Sequence, residues 1–246
     1  MDNRVLLQPV YVLHKQAFQN SSLLVDFFSM EHGRVKAVAR GARREKSRYR
    51  ALLQSFHPLL VSFSGRGEVK TVIAVESSVS AIRLTGERLF SGLYVNELLT
   101  RLLQGHGEHH DLFQHYQNTL LALQDGQDLQ TVLRAFELRL LDELGYGINL
   151  QQDYLRHEPI DPAGLYLYIP DLGFEAVEYR RDNGIREPQL NEFTGQHIID
   201  LQRLCFADDS SRRAARRLLR LALQAHLGGR PVHSRNLFAR QRGSAG

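Results

Sequence analysis

Basic side chains are concentrated in the segment 31–50, which reads EHGRVKAVARGARREKSRYR. The segment holds eight Lys or Arg residues and two Glu residues, a net charge of +6. Cations at this density can neutralise successive phosphates of a nucleic acid and release its condensed counterions. We therefore predict a nucleic-acid-binding surface here, with an ordinary solvated loop as the alternative. This basic cluster consists of Arg34, Lys36, Arg40, Arg43, Arg44, Lys46, Arg48 and Arg50.

The first part of the basic cluster has the two-residue period of a β-strand. Arg34, Lys36 and Arg40 share one parity, so a strand would present all three on one face, while Val35 and most of residues 37–39 would face the interior. The strand is expected to continue into a flexible loop that carries the other cations.

Aromatic residues near the basic cluster offer surfaces on which bases can stack. Tyr49 lies inside the cluster, and Tyr11 or Phe18 are the other candidates. Neither the charges nor the aromatic residues imply recognition of a particular base sequence.

A second basic segment lies near the end of the chain, where residues 211–229 read SRRAARRLLRLALQAHLGG. On a helix its arginines occupy one arc and its Ala and Leu residues the opposite side. We predict a cationic ridge that binds DNA, another polyanion or an acidic protein tail; a plain surface helix is the alternative. The apolar side has no Trp or Phe anchor, so a membrane is not expected as a partner. The ridge comprises Arg212, Arg213, Arg216, Arg217 and Arg220, and Arg230, Arg235, Arg240 and Arg242 would extend it.

Arg134 and Arg139 stand at the margin of the apolar stripe of a predicted helix. An Arg beside an apolar pocket can bind the terminal carboxylate of a peptide. The alternative is that these arginines cover the core or pair with Glu137 or Asp142.

Recognisable catalytic motifs are absent from the sequence. There is no GxxxxGK[ST], GxSxG or HExxH pattern. His106, His109, His110 and Asp111 are the only candidates for a metal site, and a metal-dependent nuclease is kept as an alternative function. The single cysteine, Cys205, is expected to be a buried small hydrophobe. We therefore expect no catalytic residues, no metal and no cofactor.

Charge is distributed unevenly along the 246 residues, although the total is only +4. Residues 1–80 have 12 basic and 6 acidic residues, and residues 203–246 have 10 and 2. The intervening segment is acidic, so basic ends enclose an acidic middle, a pattern that favours a polyanionic partner. No signal peptide or membrane span is evident, and a single cysteine suits a reducing compartment; we expect a cytoplasmic, nucleoid-associated protein.

Hydrophobic periodicity predicts an α+β protein. Five β-rich runs precede residue 80, and the long connection between the third and fourth predicts a five-stranded OB-type β-barrel. A mainly α-helical part with a small irregular or β insertion follows. The predicted strands are 5–13, 22–28, 34–40, 52–63 and 69–76, and the helices lie near 86–104, near 109–124, between Asp128 and Gly145, and between 208–211 and Gly228. The predicted domains are 1–80 (barrel), 81–149 (helical), 150–190 (loops with a short strand pair) and 191–246 (helical).

Five blocks of sequence carry a resemblance to a known family. They are YVLHKQAFQNSSLLVDFFSMEHGRVKAVARGARR, LLQSFHPLLVSFSGRGEVKT, LFSGLYVNELLTRLL, LRAFELRLLDELGYGINL and HLGGRPVHSRNLF. In this order they resemble the bacterial recombination mediators of the RecO family. The resemblance implies an OB domain, a helical remainder and no bond-breaking chemistry. It also implies binding and annealing of single- and double-stranded DNA, and action with RecR and RecF to load RecA onto DNA coated by the single-stranded DNA-binding protein SSB.

The resemblance also assigns roles to individual residues. The cations from Arg34 to Lys46 match the family's DNA-binding strand and loop. Arg134, with Leu133 and Arg139, matches the helix that receives the acidic, Phe-ending tail of SSB. Many relatives have a four-cysteine zinc module after the GYGINL block, whereas this chain continues with Gln151 and Gln152 and has no cysteine before Cys205. The insertion is therefore expected to lack zinc. An RNA-binding OB protein remains an alternative.

Overall fold

The computed structural model describes residues 4–77, 79–103, 107–177, 189–229, 231–234 and 236–237. The chain forms two compact units. The first consists of residues 1–127 and 232–246, and the second of residues 128–231. Within the described residues, the first unit contains a β-barrel, one short helix and two long helices, and the second contains a small sheet and three helices.

Five strands close the barrel of the first unit in the order β1-β2-β3-β5-β4. All neighbouring pairs are antiparallel except β3 and β5, which run parallel. This order, with its long connection between β3 and β4, confirms the predicted OB-type barrel. The elements are β1 (Arg4–Phe18), β2 (Ser22–Ser29), β3 (Gly33–Ala39), the short helix α1 (Tyr49–Leu52), β4 (Leu59–Ser64) and β5 (Val69–Glu76).

The predicted fourth strand, 52–63, is wrong at its beginning. Residues 49–52 form the short helix α1, and the strand starts only at Leu59. Leu53 and Phe56, which lie between them, are buried, and Leu53 belongs to the barrel core. A loop that places apolar side chains in the core can have the same spacing of apolar residues as a strand. Spacing alone therefore does not distinguish the two.

Alternate residues of each strand fill the barrel interior. In β3, Val35, Ala37 and Ala39 are buried, as the two-residue period predicts. Val38, which was expected to face the interior with its neighbours, is half-buried because it shares the parity of Arg34. The interior is built from Val10, Val12, Val25, Phe27, Val35, Ala37, Ala39, Ala42, Leu53, Leu59, Val61, Phe63, Val72 and Val75.

An aromatic cluster joins the outer surface of β1 and β2 to helix α3. The ring of Tyr11 lies 5.4 Å from that of Phe113 and 5.0 Å from that of Tyr116, in tilted and edge-on geometry. Phe28 contacts the same two rings at 5.3 and 5.8 Å. Tyr11 is only 1% exposed, so the prediction that it stacks on bases is wrong. The two helices of this region, α2 (Gly86–Leu102) and α3 (His110–Gln124), lie close to their predicted spans.

A buried amide of α2 holds a bulge in β1. The register between β1 and β2 shifts between Val12 and His14, which leaves Leu13 as the extra residue. The Nδ2 of Asn96 donates to the carbonyl oxygens of Val12 and Leu13 at 3.3 and 3.1 Å. Its Oδ1 accepts a 2.7 Å hydrogen bond from the hydroxyl of Tyr116. Asn96 thus satisfies the bulged backbone and ties α2, α3 and β1 together.

The first unit is completed by the returning end of the chain. The two carboxylate oxygens of Glu97 accept hydrogen bonds from the backbone N–H groups of His233 (2.9 Å) and Ser234 (2.7 Å). Arg101 lies 2.7 Å from the same carboxylate. Burial raises the pKa of Glu97, but the hydrogen bonds from Ser234 and His233 and the charge of Arg101 outweigh it and hold the pKa below 4.5.

The second unit contains a small sheet whose three strands lie in the order β7-β6-β8. The short strand pair predicted for 150–190 is present as β6 and β7, and β8 adds a third strand. Helix α5 was not predicted; it is only eight residues long and starts with a hydrogen bond from the His197 N–H to the hydroxyl of Thr194. The elements are α4 (Leu129–Glu143), β6 (Leu165–Ile169), β7 (Gly173–Ala176), β8 (Glu192–Thr194), α5 (Gly195–Gln202) and α6 (Asp209–His226).

Capping residues bound α4 and α6 as the sequence predicts. The carboxylate of Asp128 accepts a hydrogen bond from the Thr131 N–H at 2.9 Å, and that of Asp208 accepts one from the Ser211 N–H at 2.8 Å. Gly145 follows α4 with a φ of +81°, the left-handed conformation of a C-terminal cap.

Cys205 lies in the turn that follows α5 and is exposed, so its predicted burial is wrong. Its backbone N–H donates to the carbonyl of Asp200, which ends the helix. Its apolar neighbours Leu204 and Phe206 are half-buried, so the apolar context does not extend to the cysteine itself.

We expect Asn96→Ala to lower the free energy of unfolding by roughly 2–4 kcal/mol, because two carbonyls and one hydroxyl lose their buried partner. Urea denaturation measures this effect. Asn118→Ala is the control, since Asn118 is exposed and bonds only the Gln114 side chain; its loss should stay below about 0.5 kcal/mol. Equal losses in the two variants would contradict a structural role for the Asn96 amide.

Glu97 should make stability depend on pH in the acid range. Its pKa is lowered in the folded state, so its contribution is complete above about pH 4.5 and is lost as pH falls through the folded pKa. Glu97→Gln should be less stable than the parent at pH 7 and lose less stability on acidification. Urea unfolding across this range, with the exposed Glu87→Gln as control, measures the difference. Parallel curves for parent and Glu97→Gln would rule the contribution out.

Candidate nucleic-acid interface

The outer face of β3 begins the basic cluster. Arg34 and Lys36 lie on this face, half-exposed, and Lys36 is directly opposite Asp26 of β2 in the strand register. Arg40 lies just beyond the end of the strand and is exposed. The predicted shared orientation of Arg34 and Lys36 therefore agrees with the structure.

Asp26 fixes the position of Arg34. The guanidinium lies 3.0 Å from the Asp26 carboxylate, and its Nε donates to the same oxygen at 3.1 Å. Asp26 is buried, and its second oxygen lies 3.9 Å from the exposed His14. Arg34 is thus a held cation with part of its charge already compensated, unlike the residues that follow it.

The segment after β3, which was predicted to be a flexible loop, is a series of hydrogen-bonded turns. The backbone N–H of Arg43 donates to the carbonyl of Ser21 at 2.8 Å, and that of Ser47 to the carbonyl of Arg44 at 3.0 Å. Ala42 is fully buried in the barrel core. The hydroxyl of Tyr49 donates to the carbonyl of Ile73 at 3.2 Å. The burial of Ala42 and the hydrogen bond of Tyr49 therefore hold a backbone whose basic side chains are exposed.

Six cations of this segment are exposed and form no ion pair with the described residues. No carboxylate of the described chain lies within salt-bridge distance of any of them. Two of the six side chains contact neutral groups of the described chain: the Arg43 guanidinium donates to the Gln19 carbonyl at 3.4 Å, and that of Arg48 lies 5.5 Å from the Tyr49 ring centre. Their charge is available to an external anion. These six are Arg40, Arg43, Arg44, Lys46, Arg48 and Arg50.

Tyr49 and Phe18 remain as aromatic surfaces near these cations. Both are half-buried, and Phe18 ends β1 opposite Ser22 of β2. Each ring thus keeps part of its surface open, whereas Tyr11 does not.

Helix α6 presents arginines on one side, as predicted. Its opposite side is buried: Ala214, Ala215 and Leu218 are at most 5% exposed. Ala225, which was also placed on that side, is exposed. Among the predicted ridge residues, Arg212, Arg213, Arg216 and Arg220 are exposed. The predicted extension at Arg230, Arg235, Arg240 and Arg242 lies outside the described residues.

Arg217 does not belong to the exposed ridge. Its guanidinium donates to the carbonyl of Glu192 at 2.6 Å and lies 4.5 Å from the centre of the Phe193 ring. Burial lowers the pKa of its guanidinium. Its angular position on the helix predicted that it would belong to the exposed arc of arginines. The edge strand β8 lies beside this part of the helix, however, and the side chain packs against that strand.

Comparison with known proteins adds independent information on the chain. A family model described as "Recombination protein O N terminal" matches residues 3–80, and one described as "Recombination protein O C terminal" matches residues 83–236. The DNA repair protein RecO of Coxiella burnetii is 42% identical over 238 residues, which cover 97% of this chain and 100% of the relative. That of Pseudomonas putida is 45% identical, with 95% and 97% covered. That of Pseudomonas aeruginosa is 42% identical, with 96% of each covered.

This chain belongs to the RecO family. Its relatives are named as DNA repair proteins. The basic cluster lies in the part of the chain that matches the N-terminal family model. The family resemblance expected from the sequence is confirmed.

Arg134, which the RecO resemblance assigned to a peptide tail, is buried. Its guanidinium lies 3.0 Å from the Glu137 carboxylate, one turn along α4, and both side chains are at most 6% exposed. The alternative of pairing with Glu137 is therefore the arrangement that the structure has. Leu133 is also buried, and Arg139 is exposed. Sequence spacing gave no sign of this difference, because both arginines lie near the edge of the same apolar stripe.

The histidine-rich segment forms no metal site in the described part of this RecO-family chain. His110 lies 3.7 Å from Glu108, and no group of three or more His, Cys, Asp or Glu side chains is arranged for a metal there. His106 lies outside the described residues. None of the described helices has the length and apolar character needed to cross a membrane.

The two neighbouring arginines of α6 should respond differently to loss of charge. Arg217→Met should lower the free energy of unfolding by about 1–3 kcal/mol, because the Glu192 carbonyl loses its donor and Phe193 its stacked cation. Arg213→Met removes the same charge from an exposed position and should change stability by less than about 0.5 kcal/mol. Urea denaturation of both variants measures the difference, and equal effects would contradict the packing role of Arg217.

Proposed function

We propose that this chain is a DNA-binding and strand-annealing mediator that breaks no covalent bonds. Its basic cluster would bind single- and double-stranded DNA. Acting with RecR and RecF, it would load RecA onto single strands coated by SSB. The observation that carries the proposal is the group of six exposed cations between Arg40 and Arg50, which have no carboxylate partner among the described residues, in a member of a DNA repair family.

Electrostatics supplies the annealing mechanism. Two DNA strands repel each other through their phosphates, and a protein that neutralises part of this charge lowers the barrier to their pairing. The turns after β3 hold several cations side by side, so one strand can contact more than one of them. The exposed arginines of α6, Arg212, Arg213, Arg216 and Arg220, form a second basic surface to which we assign further polyanion contacts.

A contact with the acidic, Phe-ending tail of SSB forms part of the proposal. Of the three residues predicted for it, Arg139 is the exposed one, so we assign the contact with the tail's carboxylate to Arg139 rather than to the buried Arg134. Annealing of SSB-coated complementary oligonucleotides, with and without the tail, tests whether this contact directs the activity.

Charge reversal in the basic cluster tests the DNA contact. Arg43→Glu/Arg44→Glu should weaken binding to DNA of any sequence. It should also reduce the slope of log affinity against log salt by about 0.7–0.9 per lost phosphate contact. Fluorescence anisotropy with labelled oligonucleotides at several salt concentrations measures both quantities.

The matched control compares two single charge reversals, one inside the basic cluster and one outside it. Arg44→Glu should show the effect, whereas Arg83→Glu, an exposed arginine that follows the barrel, should change the salt slope little. If the two variants weaken binding equally, general charge and not the basic cluster determines affinity. Competition by RNA of the same sequence separates the RNA-binding alternative, and cleavage of labelled DNA with Mg²⁺ would support the nuclease alternative.

A further inference from the structure

We propose that a pocket at the end of the barrel binds one unstacked base of a single strand. The proposal deepens the function proposed above and depends on it. The cavity has a volume of about 190 Å³ and lies between the starts of β1 and β3 and the β4–β5 turn. It is lined by Val5, His32, Arg34, Val35, Phe63, Gly65, Glu68 and Lys70.

The inner walls of the pocket are apolar and aromatic. Val35 and Phe63 are at most 7% exposed and belong to the barrel core, against which the half-buried Val5 packs. The imidazole of His32 stands edge-on to the Phe63 ring, with ring centres 5.7 Å apart and an angle of 77°. His32 thereby presents a flat surface beside an apolar floor, the combination on which a base stacks.

Cations stand at the rim of this pocket. Arg34 is held there by Asp26, and Lys70 donates to the carbonyl of Gly65 at 3.0 Å. In the strand register Lys70 lies opposite Ala37 of β3, one residue beyond Lys36. The pocket therefore adjoins the basic face of β3, and a strand whose phosphates contact Arg34 and Lys36 passes its opening.

Size and charge distinguish a base from the other candidate occupant, an acidic peptide. Ligand pockets for drug-sized molecules hold about 300–1,000 Å³, so this cavity suits one small planar group. Glu68, on the exposed side, repels acidic residues, but its carboxylate can accept a hydrogen bond from the amino group of a base. A base inside a duplex is stacked and paired, so only a single strand can supply the occupant.

The test compares single- and double-stranded DNA. His32→Ala removes the stacking surface, and we expect it to weaken binding of a labelled single strand of about 15 nucleotides by about 10-fold. Binding of the duplex of the same sequence should change by less than about two-fold. Lys70→Met keeps the alkyl stem, removes the rim charge and should shift the single-strand affinity in the same direction; it carries the test if His32→Ala fails to fold.

Matched controls remove similar groups outside the pocket. His14→Ala and Arg66→Met delete an exposed imidazole and a cation of the β4–β5 turn, and neither should change the preference for single strands. Equal weakening of single strand and duplex, or no weakening, would overturn the base pocket. Displacement of the strand by an acidic Phe-ending peptide, lost in His32→Ala, would assign the pocket to a peptide instead. Absence of DNA binding by the parent protein would overturn the proposed function itself.

Discussion

The buried side-chain amide of Asn96 on α2 connects the barrel to the two long helices of the first unit. Its Nδ2 donates hydrogen bonds to two successive carbonyls at the β1 bulge, and its Oδ1 accepts a hydrogen bond from the hydroxyl of Tyr116. One side chain thus connects α2, α3 and β1. A bulge changes which residues of a strand face inward, because the two-residue period is interrupted by one position. The register of β1 against β2 therefore includes a bulge that the helix keeps in place.

Arginines in this protein fall into two groups that differ in what surrounds the guanidinium. Arg34, Arg134 and Arg217 each have a specific partner: a buried carboxylate, a neighbouring carboxylate on the same helix, and a backbone carbonyl. The arginines of the turns after β3 have no carboxylate partner in the described chain. Arginines of the first group stabilise the fold through these partners, whereas those of the second group form an exposed positive surface. The net charge of the chain does not distinguish between the two groups.

Sequence periodicity predicted most of the strands and the long helices, because burial leaves a direct trace in the spacing of apolar residues. Caps were predictable for a similar reason, since Asp128 and Asp208 act on neighbours three residues away. The failures involve partners that are distant in sequence. The burial of Tyr11 by α3 joins residues about 100 positions apart, and no local pattern records such a contact. The basic cluster was found from its charge density, but the pocket beside it was not, because its walls come from three separate segments of the chain.

Anchoring of the turns between Ala39 and Leu53 has an entropic consequence. Fixing the backbone of one residue costs about 1–2 kcal/mol in conformational entropy, and here the burial of Ala42 and the bond from Tyr49 to Ile73 impose that cost when the protein folds. In the DNA complex that we propose, a phosphate would meet arginines whose backbone is already in place. Association would then have to restrict only the outer torsions of long side chains, which would leave more of the gain from counterion release as affinity.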